Sequence, residues 1–427
     1  MDHSTYDLTL TTLTYGGEAM GRLPDSRAVF VPFGLPGEKV RVRLTEEKRG
    51  FARGQIVEVL QISPERITPR CRHFGECGGC HYQHMPYEMQ LRVKADILRD
   101  QLQRIGKIEN PPVKATVASP SRWNYRNHVQ FHLAKNGKLG FVSTLSASTS
   151  LALRSARMGE GQKGEGVLAI SECHLPESSI NNLWPQLEFE AGTNVERVSI
   201  RAGVDDELML VLESNSPETP EIDIEAGISV THVFDEHAVI IAGEDHITMK
   251  ILGREFRVSA SSFFQVNILV AEKMVQYLLD KLPTPQSVIL DVYCGAGLFS
   301  AFLAPTCKQL IGIESSSSAC KDFVFNLDAF DNVELYEDSA ENVLPTLEIK
   351  PDVILVDPPR AGVEKEVLDA VVKMKPKIIA YVSCDPSTLA RDAARLIQHG
   401  YKLFEVTPFD MFPQTYHIES ISIFEKT

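Results

Sequence analysis

Four apolar runs in the last third of the chain constrain its fold more than any other feature: SVILDVY at 287–293, LIGIE at 310–314, DVILVDPP at 352–359 and KIIAYVSC at 377–384. Each is short enough for a strand, and longer segments of helical periodicity separate them. That alternation predicts a doubly wound α/β sheet of parallel strands from about residue 255 to 427. In such sheets ligands sit beyond the carboxyl ends of the strands, so the residues closing each run deserve inspection first.

Upstream the rhythm differs. YDLTLTTLTY, AVFVPFG, EKVRVRLTEE and GQIVEVL, within residues 4–60, read as strands broken by Gly and Pro turns, which suits a small closed barrel. Residues 87–106 place Leu91, Ile97, Leu98, Leu102 and Ile105 near helical spacing, predicting a helix on a core. Strand patterns at 128–134, 196–202, 207–213 and 238–243, with a Ser- and Gly-rich stretch at 143–166, predict an α+β middle domain. The expected domains are 1–62, 63–254 and 255–427.

The net charge of −14 seems to exclude a polyanionic partner, because phosphate binding is driven by Lys and Arg. The charge is unevenly spread, however: residues 61–170 carry +8 and residues 171–427 carry −22. A basic surface on an acidic body is what this asymmetry predicts. Residues 121–138, with Arg122, Arg126, Lys135 and Lys138 among Trp123, Tyr125 and Phe131, read as charge plus stacking surface for RNA. The chain has no apolar run long enough to span a bilayer and no basic-then-apolar start, so a cytoplasmic protein with no membrane partner is expected, as a monomer.

The strand ends carry the chemistry. In DVYCGAGLFS (291–300), Gly295 and Gly297 let backbone approach a ligand, and Glu314 closes the next strand where ribose hydroxyls would need an acceptor. The third Gly of a dinucleotide fingerprint is absent. With Asp291 and with Asp338 in YEDSAENV, the set resembles the S-adenosylmethionine (SAM) pocket of Rossmann-like methyltransferases. In VDPPRAG (356–362) two prolines stiffen the turn that holds Asp357 over the cleft. Amine-methylating relatives of that fold end this loop with an aromatic ring; Arg360 stands there instead, which points to methylation at carbon.

YVSCDPSTLARD (381–392) puts Cys384 at a strand end before a helix N-terminus, an arrangement expected to lower a thiol pKa and make a nucleophile. Carbon 5 of uracil is too poor a nucleophile to accept a methyl group unaided. A thiolate adding at carbon 6 produces an enolate that can attack, and a base must then remove the carbon-5 proton. Glu419, in DMFPQTYHIES (410–420), is the candidate base, expected on a strand beside that of Cys384 with a raised pKa.

These motifs, with SFFQVN (262–267), LTYGGEAMGR (13–22) and PFGLPGEKVRVRL (32–44), resemble the RNA uridine-5 methyltransferases, in particular the bacterial 23S rRNA enzymes with a TRAM barrel and an iron–sulfur cluster. The resemblance runs from about residue 5 to the C-terminus. It implies an N-terminal OB-like RNA-binding barrel, an α+β central domain and a Rossmann-like SAM-dependent methyltransferase domain. It further implies that Gln265, Tyr293, Gly295, Gly297, Glu314, Asp338 and Asp357 line the cofactor and base pocket, with Cys384 as nucleophile and Glu419 as base. Two positions depart from the family pattern: Gln414 stands where His is frequent, and Leu298 where a polar residue is common. Transfer RNA as substrate, cytosine as the methylated base, or RNA binding without catalysis are the alternative readings.

Cys71, Cys77 and Cys80 in CRHFGECGGC form a C-x5-C-x2-C pattern that needs a fourth ligand, and spacing alone suits either zinc or a [4Fe–4S] cluster. The resemblance supplies Cys173 in ISECHL as that ligand and implies the cluster, in a folding or RNA-binding role.

Overall fold

The computed structural model describes residues 5–144, 166–190, 192–222, 227–235, 237–282 and 285–427. Most of the Ser- and Gly-rich stretch at 143–166 therefore lies outside the described residues.

Six strands form the N-terminal sheet: β1 (Thr5–Thr9), β2 (Thr12–Leu13), β3 (Glu18–Arg22), β4 (Ala28–Pro32), β5 (Lys39–Glu47) and β6 (Phe51–Gln61), in the order β1-β5-β6-β4-β3-β2. The two end strands are joined through Leu10 and Thr11 alone, so the sheet curls back on itself. Alternation drives the curl: Ala19, Val29, Val31, Val40, Val42 and Leu44 are buried on the inner face. Buried Glu38 closes one end of the barrel by pairing with Arg66 at 2.6 Å and accepting the Leu35 N–H at 2.9 Å.

Helix α1 (Tyr87–Arg104) follows, as the spacing predicted. Its Ile97, Leu98 and Leu102 join the core of the C-terminal sheet rather than a core of their own. The middle sheet is built from β7 (His128–Leu133), β8 (Leu139–Val142), β9 (Val167–Ala169), β10 (Val195–Ala202), β11 (Leu208–Ser214), β12 (Ser229–Phe234) and β13 (His237–Ala242), with a short helix α2 (Ser178–Leu183) against it. A separate hairpin, β14 (His246–Ile251) and β15 (Arg254–Ser259), packs Ile247, Met249, Phe256 and Val258 onto the C-terminal core.

The C-terminal unit is a Rossmann-like sheet. After α3 (Ile268–Lys281) come β16 (Gln286–Val292), α4 (Leu298–Leu303), β17 (Cys307–Glu314), α5 (Ser317–Leu327), β18 (Val333–Glu337), α6 (Ala340–Val343), β19 (Val353–Val356), α7 (Lys365–Met374), β20 (Ile378–Ser383), α8 (Pro386–Gln398), β21 (Tyr401–Phe409) and β22 (Glu419–Lys426). The order is β18-β17-β16-β19-β20-β22-β21. The first five strands are parallel, and the last two form an antiparallel hairpin on the β20 side. Strands β16, β19 and β20 are buried on both faces, which is why they read as continuous apolar runs. Antiparallel β22 starts where β20 ends, with Ser383 opposite Ser420, and this reversal brings Glu419 to the edge where Cys384 emerges.

Candidate active site

The turn after β16 is shaped by backbone that few residues tolerate. Tyr293, Gly295 and Gly297 have φ of 67°, 54° and 86°. A Cβ at Gly297 would sit 2.4 Å from Leu327 and 3.0 Å from Phe323, so packing as well as conformation demands glycine there. Around Gly295 the same test finds open space, which suits a turn that faces a ligand. Glu314 ties this turn to the end of β17: its Oε2 accepts the Gly295 N–H at 3.0 Å, and its Oε1 accepts Ser315 and Ser316 N–H, each at 2.8 Å. At the end of β18, Asp338 is exposed, and a hydrogen bond from Asn342 helps hold its carboxyl below the usual range. Ser262 Oγ meets Ser318 Oγ at 2.7 Å, drawing the 262–267 motif with buried Gln265 toward the same edge.

Two buried carboxyls lie deeper. Asp291 accepts from Ser300 at 2.6 Å, while its Oδ1 has no hydrogen-bond partner among the described residues. Burial, reinforced by Glu314, pushes it up to about 7. Asp357 presents part of its surface to the cleft and is otherwise packed in protein; burial, with Asp291 adding repulsion, pushes it up to about 7 as well.

Cys384 and Glu419 lie at the same end of the paired strands β20 and β22, near Asp357. Each feels the other's field or that of Asp357, and the exposed Arg360 opposes both carboxylates. Burial raises Glu419 well above the ordinary carboxylate range, as expected for a base in a dry pocket. The expectation for Cys384 is overturned. Burial, then Glu419 and Asp357, pushes its thiol up to about 12 rather than down, since two carboxylates and desolvation outweigh a single helix N-terminus.

The surroundings of Cys384 are fixed from both sides. Asp385 caps α8 by accepting Ser387 and Thr388 N–H with its Oδ1, at 2.8 and 3.0 Å. Its Oδ2 accepts the Tyr15 hydroxyl at 3.0 Å, so a residue of the N-terminal barrel touches the neighbour of Cys384. On the other side, segment 410–418 has no helix or strand of its own and is clamped from outside. Asp410 N–H donates to Val117, Asn267 donates to the Met411 carbonyl, Tyr125 OH to the Pro413 carbonyl, and His81 and Tyr82 N–H to the Gln414 carbonyl. Gln90 and Lys94 of α1 complete the clamp.

Cys71, Cys77, Cys80 and Cys173 line one cavity together with Arg126. Burial raises all four thiols, yet backbone N–H groups already point at Cys71, Cys77 and Cys173, and the buried Arg126 guanidinium favours thiolate at Cys80 and Cys173. Arg126 Nε has no hydrogen-bond partner among the described residues. Four soft donors, N–H groups aimed at sulfur and a guanidinium beside them suit an anionic metal–sulfur group.

Two expectations for residues 121–138 are corrected. Phe131 is a core residue because alternation along β7 turns it inward, Tyr125 is buried ahead of that strand with its hydroxyl on the Pro413 carbonyl, and Arg126 points to the cysteines, so none of the three offers a stacking or phosphate surface. Arg122 is exposed but pairs with Glu88 at 2.8 Å and lies over the Tyr87 ring. The sequence reading also missed Lys94, Gln90 and Tyr15. A signal existed for Lys94, which lies three residues after Leu91 and four before Leu98 on the apolar face of α1.

A doubly wound sheet with a Gly-x-Gly turn, acidic strand ends and a cysteine at the β20 edge defines the class: a Rossmann-like SAM-dependent methyltransferase. Residues 236–427 match the family described as tRNA (Uracil-5-)-methyltransferase, and residues 1–57 match the TRAM domain. Proteins described as uncharacterised RNA methyltransferases are 31% identical in Chlorobaculum tepidum (98% of this chain, 96% of that one), 32% in Thermosynechococcus vestitus (98% and 98%) and 33% in Aquifex aeolicus (98% and 98%). The crystal structure of the Pyrococcus abyssi tRNA (uracil-54, C5)-methyltransferase with S-adenosyl-L-homocysteine has a similar fold, with a TM-score of 0.72 and 23% identity over 98% of this chain and all of that one. The chain belongs to the RNA uracil-5 methyltransferase family, in the branch that carries a TRAM domain.

Proposed function

We propose that this protein transfers the SAM methyl group to carbon 5 of a uridine in 23S rRNA through a covalent adduct. The Cys384 sulfur adds to carbon 6, and the electron pair of the 5,6 double bond moves into an enolate. Carbon 5 then takes the methyl group from the sulfonium, releasing S-adenosylhomocysteine. Glu419 removes the proton from carbon 5; the double bond re-forms and the carbon–sulfur bond breaks, returning the thiolate. What supports this reading most is the reversed β22, which sets a buried carboxyl and a thiol at one edge of a sheet above Asp357.

A thiol pushed up to about 12 is protonated in the free protein, so its activation falls to the moment of binding. SAM, when bound, would supply a sulfonium charge that favours the Cys384 thiolate, the thiol proton passing to solvent. Glu314 and Asp338 suit the ribose and adenine, Gly295 and Gly297 suit the methionine end, and Gln265 and Tyr293 complete the pocket wall. The uridine must leave its stack to reach the sulfur, which costs least in a loop or bulge.

Cys71, Cys77, Cys80 and Cys173 would hold a [4Fe–4S] cluster, which when bound supplies a covalent cross-link between two loops distant in sequence. Four thiolates on one zinc, at about 2.3 Å each, lie roughly 3.8 Å apart. Among the described residues, no three of the four sulfurs lie mutually within 4.8 Å.

Ribosomal RNA containing 5-fluorouridine tests the mechanism: the native protein forms an adduct stable on denaturing gels and Cys384→Ala does not. Full turnover by Cys384→Ser would sink it. Mapping 5-methyluridine in ribosomal and transfer RNA, with and without this chain, separates the 23S rRNA reading from the tRNA reading that the family description favours.

A further inference from the structure

Lys94 is fully buried, an expensive place for an ammonium group. Its Nζ donates to Asp410 Oδ1 at 2.6 Å and to the Phe412 carbonyl at 3.0 Å. Both acceptors belong to the irregular segment that delivers Glu419. The same cation, with Arg360, is one of two whose field reaches Glu419. A leucine or methionine at this position of α1 would fill the space without desolvating a charge, and replacing both partners of such a pair by apolar residues is often neutral for stability. Packing therefore gives no account of why a lysine stands here.

We propose that Lys94 is a positioning residue for Glu419: by tying the first and third residues of segment 410–418 to α1, it fixes where the carboxyl meets the carbon-5 proton. This rests on the covalent mechanism proposed above. The segment's internal hydrogen bonds are local turns, such as Thr415 N–H to the Phe412 carbonyl at 3.3 Å and His417 N–H to Thr415 Oγ1 at 3.3 Å, so its course relative to the sheet depends on outside ties. Misplacement of a proton acceptor by about 1 Å costs on the order of a hundredfold in rate. Sulfur addition and methyl transfer depend on Cys384 and the SAM pocket, which Lys94 does not touch, so the defect falls on the last step.

The experiment compares the native protein, Cys384→Ala, Glu419→Gln, Lys94→Met and the double variant Lys94→Met/Asp410→Leu, which leaves no unpaired buried charge. Each is given SAM and ribosomal RNA from cells lacking this chain. Calorimetry reads SAM binding, denaturing gels read the protein–RNA adduct, and nucleoside analysis reads released 5-methyluridine. The double variant is expected to bind SAM within about twofold of native, to form the adduct, and to resolve it about a hundredfold more slowly, as Glu419→Gln does. Adduct resolution at the native rate overturns the proposal, and so does joint loss of SAM binding and adduct, which marks a general structural role. If Glu419→Gln itself accumulates no adduct, the covalent reading fails instead, and this inference with it.

Discussion

Gln90 and Gln414 form a reciprocal amide pair: Gln90 Nε2 donates to Gln414 Oε1 at 3.0 Å, and Gln90 Oε1 accepts the Gln414 backbone N–H at 3.0 Å. Both are buried, and Gln414 holds the unusual φ of 70°. The pair ties the segment that leads to Glu419 onto α1. Gln90→Leu leaves the Gln414 amide and N–H buried without these partners, a cost of about 1–3 kcal/mol. Thermal denaturation should show the midpoint several degrees lower, with SAM affinity retained.

Alkylation of the free protein reports on Cys384. With its thiol pushed up to about 12, thiolate at neutral pH is scarce, and its fraction rises tenfold per pH unit. Peptide mapping after iodoacetamide treatment should show modification of Cys384 climbing from pH 7 to 10 with no plateau. Asp357→Asn, which removes one of the two repelling carboxylates, should speed the reaction above about pH 7, where Asp357 is ionised. A plateau near pH 7 would contradict the electrostatics described here.

Asp291 makes stability depend on pH in a direction opposite to that of paired carboxylates. Its folded pKa of about 7 lies above the ordinary 3.8, so the stabilisation from its protonated form is fully present below about 3.8 and is lost as pH rises through about 7. Asp291→Asn should remove that contribution. The difference in unfolding free energy between the two proteins, measured by denaturant titration at several pH values without SAM, should change by a few kcal/mol between pH 4 and 8. A difference independent of pH would refute the shift.

Anaerobic reconstitution with iron and sulfide should give a brown protein, and Cys80→Ala or Cys173→Ala should lose the colour. Because His81 and Tyr82 follow Cys80 and grip Gln414, chelation should also raise protease sensitivity within 410–418, read by limited proteolysis and mass spectrometry. A colourless product that binds one zinc per chain would decide for the alternative.

The strand ends were legible because each requirement is local. A glycine turn, a carboxylate before two prolines and a cysteine before a helix are all short patterns, and periodicity said which strands were buried on both faces. The pairing of the Glu419 strand with that of Cys384 could be expected because the proposed mechanism needs a base near the thiol, and β22 does pair with β20. What stayed hidden depends on residues far apart in the chain: Lys94 and Asp410 are separated by 316 positions, and Tyr15 and Asp385 by 370. The Cys384 thiol was misjudged for the same reason, since the helix behind it is visible in sequence and the two carboxylates facing it are not. In 121–138 composition misled, because a strand hides every second residue whatever its chemistry.

The contact between Tyr15 and Asp385 ties the N-terminal barrel to the sheet edge that carries Cys384. Under the function proposed above, a nucleotide gripped by that barrel would be held at a set offset from the sulfur, as on a jig, and the distance along the RNA from grip to modified uridine would become a property of the protein's shape. Lengthening the chain between barrel and α1 would leave that offset unchanged, whereas severing the tyrosine's hydroxyl contact would let it drift.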